Sequence, residues 1–255
     1  MDGVALCARF SIATNRLEFC GPRDAAPTLY RAITRGSDLE AARDSLRRFE
    51  ALYPYLEAIG AKHALDPFDA RVVEAYWVGN ELLDAFERSD FLSILEALTR
   101  RGLPRSTADR LREHLPDRPI PHHVFHVSYV GVGEVTGHVE TTLANMEHCR
   151  TGWGRVVSRG GNSLVLDRST LGVSSGRLTL GGPVRSVLAY DPAILPDVSE
   201  GSVVALHWNH PAVQLSSAQV SALERYTERS LAAANQSLPG LRALEGSAPR
   251  GPPPP

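Results

Sequence analysis

From residue 149 to residue 208 the chain passes through five short apolar segments, and turn residues separate most of them. The segments read WGRVVS, SLVLDR, GRLTLG, VRSVLAY and SVVALHW. Runs of this length between Gly- and Ser-rich turns are typical of β-strands. Five such strands favour a small closed barrel, because closure removes the exposed sheet edges. A helix is predicted next, from about Ser217 to Asn235. The sequence therefore predicts a five-stranded β-barrel with a C-terminal helix.

The first half of the chain predicts helices. Over residues 1–36 the sequence predicts an irregular opening segment, since Gly21-Pro22 is a turn signal. Ser37, with Glu40 three residues on, has the pattern of a helix N-terminus, and Pro54 is expected to kink the helix that follows. Apolar residues at three- and four-residue steps predict further helices over about 67–88, 91–100 and 106–114.

Three prolines between residues 116 and 121 mark the end of the helical half. Residues 122–132 then predict a strand, and a short helix is expected from Thr136 to about Glu147. The fold class is therefore α+β: a helical N-terminal domain followed by the small barrel and its helix. The predicted divisions are a helical domain (1–120), a strand–helix connector (121–148) and the barrel with its helix (149–236). A disordered tail rich in Pro, Gly, Ala and Ser is predicted over 237–255.

Composition and charge exclude several classes of function. The net charge of −2 gives no electrostatic reason to expect nucleic acid or an anionic membrane as a partner. No run reaches about 18 consecutive apolar residues, so no membrane span is expected. No secretion signal is recognisable, and the three cysteines form an odd set. A cytoplasmic protein with reduced thiols is predicted.

Cys149 and His207 bracket the β-segments and are the first candidates for a metal site. A thiol at the start of such a barrel and an imidazole at its end can meet in space, and the two together suit a transition metal. The alternative is structural. Cys149 would then be a small buried apolar side chain, and His207 would donate a hydrogen bond to a backbone carbonyl.

A second group of histidines lies in the connector. On a strand, His122 and His126 share one face, while His123 points to the other. Together with Cys149 and His207 they would complete a four-ligand site of the zinc type. His210 is a further candidate ligand. Alternatively, His122 and His123 are the solvent-exposed start of the strand, and His126 packs in the core.

Residues 149–235 resemble the HypC/HupF family of hydrogenase maturation chaperones. In that family a cysteine is followed by Gly at plus five and Val at plus seven, the barrel ends in Gly-x-x-Val-x-x-His, and a helix closes the chain. The whole chain also resembles an uncharacterised bacterial family often found beside NiFe-hydrogenase genes, through RFSIATNRLEFCGP, DARVVEAYWVGNELLD and WGRV. The positions that match the chaperones are Cys149, Gly154 and Val156, then Gly201, Val204 and His207.

The resemblance implies an accessory or assembly protein for a metalloenzyme, either an iron-unit carrier or a client-binding chaperone. Cys149 and His207 would hold iron transiently, as an Fe(CN)2CO unit, with zinc as the alternative metal. The implied partners are the hydrogenase large subunit or other maturation proteins. No GxSxG, P-loop or GxGxxG motif indicates a catalytic residue. The competing hypotheses are a mononuclear metal-dependent enzyme and a metal-free interaction module.

Overall fold

The structure, a computed structural model, describes residues 1–237 and opens with two helices that pack against each other. They are α1 (Gly3–Arg16) and α2 (Ala26–Arg35). The prediction of an irregular segment over residues 1–36 is therefore wrong. Asp2 caps α1, and the helix is buried on most sides. It consequently lacks the one-sided apolar stripe by which a surface helix is recognised in a sequence.

The rest of the first half is helical, as predicted. Pro54 does not kink a continuous helix: it lies in the first turn of a new one, where its missing N–H leaves no hydrogen bond unmade. The helix expected over 67–88 is interrupted at Gly79, which has a φ of 97°. The elements are α3 (Leu39–Arg47), α4 (Tyr53–His63), α5 (Ala70–Trp77), a 3-10 helix (Glu81–Ala85), α6 (Arg88–Thr99) and α7 (Arg105–Glu113).

Residues 122–132 do not form the predicted strand. His122 caps a short helix, α8 (His123–Phe125), which continues as a π-helical turn (His126–Val130). The segment is buried on every side, and a short apolar run of that kind does not distinguish a strand from a helix. The next helix, α9 (Leu143–Cys149), is capped by Thr142 rather than by Thr136, because the Thr142 side chain accepts a hydrogen bond from the backbone N–H of Asn145.

The second half forms a five-stranded antiparallel sheet in the order β3-β2-β1-β4-β5. GRLTLG and VRSVLAY are a single strand, because Gly181-Gly182 lies at a bulge opposite β2 and not in a turn. β5 was not predicted, and it follows a tight turn at Trp208-Asn209. The strands are β1 (Gly152–Gly160), β2 (Ser163–Ser174), β3 (Arg177–Ala189), β4 (Val203–His207) and β5 (His210–Leu215).

The α+β class is confirmed, with helices in the N-terminal half, the sheet after them, and a last helix, α10 (Ser217–Ala234). The closed barrel is not confirmed. Among the described residues β3 and β5 form the two edges of the sheet and have no hydrogen-bonded ladder between them. Of the tail predicted to be disordered, residues 238–255 lie outside the described part of the chain.

One hydrophobic core joins the helical half to the sheet. It takes side chains from α1, α5, β1, β4 and α10. At its centre Trp77 stacks on Phe10 at 4.8 Å between ring centroids, and the His207 ring lies 4.9 Å from Trp77 on another side. Packing therefore crosses both of the expected divisions, at 120 and at 148, and the domain boundaries stay a prediction. Within residues 1–237, no helix has both the length and the hydropathy that crossing a membrane requires.

The close approach of α10 to Gly79 gives a test of this packing. A Cβ atom at Gly79 would lie 2.3 Å from the Tyr226 ring, on a backbone that already has a positive φ. We expect Gly79→Ala to lower the free energy of unfolding by about 3 kcal/mol, as backbone strain and overpacking add. Gly36→Ala is the matched control. It also has a positive φ but open space, and should cost only about 1 kcal/mol in urea unfolding. Equal losses in the two variants would contradict the packing at Gly79.

Candidate metal site

Three potential metal ligands from distant parts of the chain meet in the core. The sulfur of Cys149 lies 3.9 Å from Nε2 of His123 and 3.9 Å from Nε2 of His207. The three ligand atoms all lie within 4.8 Å of one another. Sulfur and nitrogen ligands of one tetrahedral zinc ion are about 3.5 Å apart. Each sulfur–nitrogen distance would thus have to shorten by only a few tenths of an ångström for the sulfur and either imidazole to bind one ion.

The sheet register brings Cys149 and His207 together. β1 begins just after Cys149 and pairs antiparallel with β4, so that Gly152 lies opposite Leu206. The start of β1 and the end of β4 therefore lie side by side at the same end of the ladder. The thiol and the imidazole lie 3.9 Å apart although 58 positions separate them, and their binding of a metal stays a prediction.

The backbone of α1 orients His207. Nδ1 of His207 lies 2.6 Å from the carbonyl oxygen of Phe10, so Nδ1 carries the proton and donates it there. Nε2 then keeps a free lone pair on the side of the Cys149 sulfur. Metal-binding histidines are commonly held in this way, with the second ring nitrogen donating to a carbonyl. Burial lowers the pKa of His207 to about 4, so the imidazole is neutral near pH 7.

His123 is held by two hydrogen bonds. Its Nδ1 lies 2.9 Å from the Tyr76 hydroxyl, and its Nε2 lies 2.8 Å from the carbonyl oxygen of Cys149. Since a carbonyl only accepts, Nε2 carries the proton and Nδ1 accepts from Tyr76. To bind a metal, Nε2 must give up the carbonyl, and Nδ1 must donate to the Tyr76 oxygen instead. His123 is thus the one ligand of the three whose binding requires a change of tautomer.

The Cys149 thiol lies in a poorly hydrated environment. Burial raises its pKa well above the ordinary range, the Cys20 thiol raises it further, and the Trp208 indole acts in the opposite direction. The adjacent Arg150 does not supply a free positive charge, because its guanidinium donates to Glu147 at 2.7 Å and to the carbonyl of Ser169 at 2.6 Å. Glu147 also accepts from the backbone N–H of Leu171, which fixes the end of α9 to β2. A bound cation is therefore the group that would stabilise the thiolate.

A partly enclosed cavity of about 60 Å³ adjoins the three ligands. Its wall is mostly apolar, and none of the residues that line it is Asp, Glu, Lys or Arg. Thr14, His126 and Cys20 add polar groups. The apolar side chains of the wall include Phe19, Phe49, Leu52, Val132, Val139 and Trp208.

The other predicted ligands lie elsewhere. His126 lines the cavity, but its Nδ1 pairs with the Tyr55 hydroxyl at 2.9 Å, and it is outside the three-ligand group. His122 is buried beside α10, where its Nδ1 accepts from the backbone N–H of Val124. His210 starts β5, and the charged groups that act on it are Arg16 and Asp191. The structure thus brings Cys149 and His207 together and leaves His122 and His210 outside the three-ligand group, although His210 pairs with His207 across the β4–β5 ladder.

Sequence reasoning missed His123 as a ligand because it assigned a strand to residues 122–132. On a strand, His122 shares a face with His126. On the helical turn that forms instead, His123 and His126 are three residues apart and lie on the same side. Both line the cavity. A helical interpretation of HHVFH would have paired these two histidines, but it would have kept His122 as well, since His122 and His126 are four residues apart.

Comparison with known proteins gives a family but no activity. A protein-family model matches residues 1–240, and it is described as a family of unknown function, DUF6390. Neither the search of curated proteins nor the search of solved structures gave a match. The chemistry of the site must therefore be argued from the residues of this chain.

The buried histidines predict a loss of stability in acid. Burial lowers the pKa of His122 to about 3 and those of His126 and His207 to about 4. The unfolded chain takes up these protons first, near pH 6.5. The contribution of these histidines to the free energy of unfolding is therefore fully present above about pH 6.5. It falls as the pH drops toward 4, by roughly 1.4 kcal/mol per pH unit for each such histidine. Urea unfolding between pH 7 and pH 4 measures this slope.

His122→Asn removes one of these titrating groups and leaves the fold in place, because asparagine preserves the N-cap of α8. We expect the variant to reduce the slope by about 1.4 kcal/mol per pH unit. His138→Asn, at an exposed position, is the control and should leave the slope unchanged. A slope that is the same in all three proteins would contradict a buried neutral His122.

Proposed function

The chain belongs to this family of unknown function, DUF6390, and we propose that it is a metal-binding accessory protein. In this proposal, one first-row transition metal ion binds to Cys149, His207 and His123. The protein would serve the assembly of a metalloenzyme, a NiFe hydrogenase in the first instance, and would work in the cytoplasm, where thiols stay reduced.

A single observation carries the proposal: one sulfur lies 3.9 Å from two imidazole nitrogens that come from different elements. A thiolate with two imidazoles suits zinc, iron or copper better than it suits magnesium or calcium, which prefer oxygen ligands. Neutral histidines are required for metal binding, and burial keeps both imidazoles neutral near pH 7. The free lone pair of His207 already has the orientation that a metal needs.

Three protein ligands fit a site that exchanges what it binds. Structural zinc sites are closed by four protein ligands, whereas sites that react or exchange keep one position open. Here the tautomer change at His123 gives a physical route to release. When Nε2 of His123 returns to the carbonyl of Cys149, the ion keeps only Cys149 and His207. Such an ion is held more weakly and can pass to a partner.

The link to hydrogenase rests on the resemblance to the HypC/HupF chaperones. The cysteine and the histidine that match that family are the two residues that β1 and β4 bring together. This meeting supports a role in handling iron, including an Fe(CN)2CO unit. The hydrogenase large subunit or other maturation proteins would be the partners. Zinc is the alternative metal.

The second candidate is a mononuclear metal-dependent enzyme, and the cavity favours it. Three protein ligands with an open position beside a cavity are the usual arrangement of a catalytic zinc site. The two candidates differ in how firmly the ion stays bound. An enzyme should retain stoichiometric metal through dialysis against a chelator of moderate affinity, whereas a carrier should lose it.

The metal site is tested by titration with Co²⁺, which reports thiolate ligation through a charge-transfer absorption band. We expect one Co²⁺ per chain with that band in the wild type. Cys149→Ser should abolish the band and weaken binding by roughly 100-fold or more, since loss even of a residue that only orients a ligand costs 10- to 100-fold. Cys20→Ser is the matched control, because Cys20 lines the same cavity but is outside the ligand group. A thiolate band that survives in Cys149→Ser would refute the site.

The accessory role is tested by anaerobic co-purification with hydrogenase maturation proteins. We expect the wild type to carry iron and to retain at least one maturation protein or the large subunit. Cys149→Ala should lose the iron. Normal hydrogenase maturation in cells where Cys149 and His207 are both alanine would contradict the role and favour a metal-free interaction module.

A further inference from the structure

His126 presents a hydrogen-bond donor to the cavity. The Tyr55 hydroxyl is fully buried, and its hydrogen-bond partner is Nδ1 of His126 at 2.9 Å. A buried hydroxyl needs an acceptor, so Tyr55 donates its proton to Nδ1, and the ring proton of the neutral imidazole is on Nε2. Within residues 1–237, Nε2 of His126 has no hydrogen-bond partner. The ring lines the cavity and lies 6.2 Å from that of His123.

The charge of a loaded site favours an anion at the open position. A divalent ion with one thiolate and two neutral imidazoles has a net charge of +1. The residues that line the cavity include no Asp or Glu to balance that charge. An unbalanced charge in an apolar environment is costly. One monoanion would neutralise it, whereas a neutral ligand would leave it in place.

The size and the wall of the cavity limit the ligand further. A volume of about 60 Å³ holds a few water-sized groups, since one water occupies roughly 10–15 Å³ by this measure. Phe19 and Trp208 pack together at 4.6 Å on one side. Trp208 has a φ of 52°, which is strained for a bulky residue, yet it lies in the turn that places its ring against the cavity. The enclosed part of the cavity therefore has room for only a few atoms.

We propose that this cavity binds a small monoanion of about three non-hydrogen atoms, which occupies the fourth coordination position and accepts a hydrogen bond from Nε2 of His126. The inference rests on the metal site at Cys149, His207 and His123. The sequence predicted His126 as a metal ligand. In this proposal it donates a hydrogen bond to the anion that the metal binds. The anion and the metal bind together, because each offsets the charge of the other.

The test uses the full-length protein loaded with Co²⁺ and titrated with azide, a linear monoanion of three atoms. We expect saturable changes in the cobalt d–d absorption. In His126→Phe the azide affinity should fall by roughly tenfold or more, since a hydrogen bond to a charged group is lost, while Co²⁺ affinity stays within about threefold. His126→Gln, whose amide can donate, should recover part of the azide affinity. Benzoate, which has the same charge but is larger, should not bind.

The outcomes separate this inference from the proposed function. If Co²⁺ does not bind with a thiolate band, the metal site is refuted and the inference with it. If Co²⁺ binds with the band but azide leaves the spectrum unchanged, only the inference is refuted. The same holds if azide binds equally well to wild type, His126→Phe and His126→Gln. Circular dichroism checks the fold of each variant, and His126→Leu, which also lacks a hydrogen-bond donor, takes the place of His126→Phe if that variant does not fold.

Discussion

The antiparallel pairing of β1 with β4 is the constraint on which the rest of the site depends. Because Gly152 lies opposite Leu206, Cys149 at the end of α9 and His207 at the end of β4 reach the same end of the β1–β4 ladder. A shift of the register by one residue would turn His207 to the opposite face and separate its ring from the Cys149 sulfur. The ladder thus sets the distance between two candidate ligands that lie 58 positions apart in the sequence.

The helical half completes the site rather than covering it. The carbonyl of Phe10 in α1 selects the His207 tautomer, and the hydroxyls of Tyr76 in α5 and Tyr55 in α4 pair with His123 and His126. Every imidazole of the site therefore has one nitrogen engaged by a group from the first 77 residues. This arrangement gives residues 1–120 a physical role: they orient the rings and keep water from them. The shared core through Trp77 makes the two halves one packed unit at this point.

Two errors of the sequence analysis, the missed helix α1 and the strand assigned to residues 122–132, have one cause, which is burial on all sides. α1 and the segment around His123 are enclosed by neighbouring elements, so their apolar residues show neither the helical nor the alternating period. The merged strand β3 has a different cause, since Gly181-Gly182 bulges against β2 where a turn was expected. Elements with one solvent-facing side, such as α6 and α7, were predicted within a few residues.

The sequence by itself determined the α+β class and the order of helices before the sheet, because strand-length patterns and turn residues act locally. Only the tertiary structure decided that Cys149, His207 and His123 lie together, that His126 lines the cavity and that His122 and His210 lie outside this group. Those outcomes depend on which way each ring points. The direction of a ring is set by hydrogen bonds to Phe10, Tyr76 and Tyr55, partners that lie tens to nearly two hundred residues away along the chain. No local pattern carries that information.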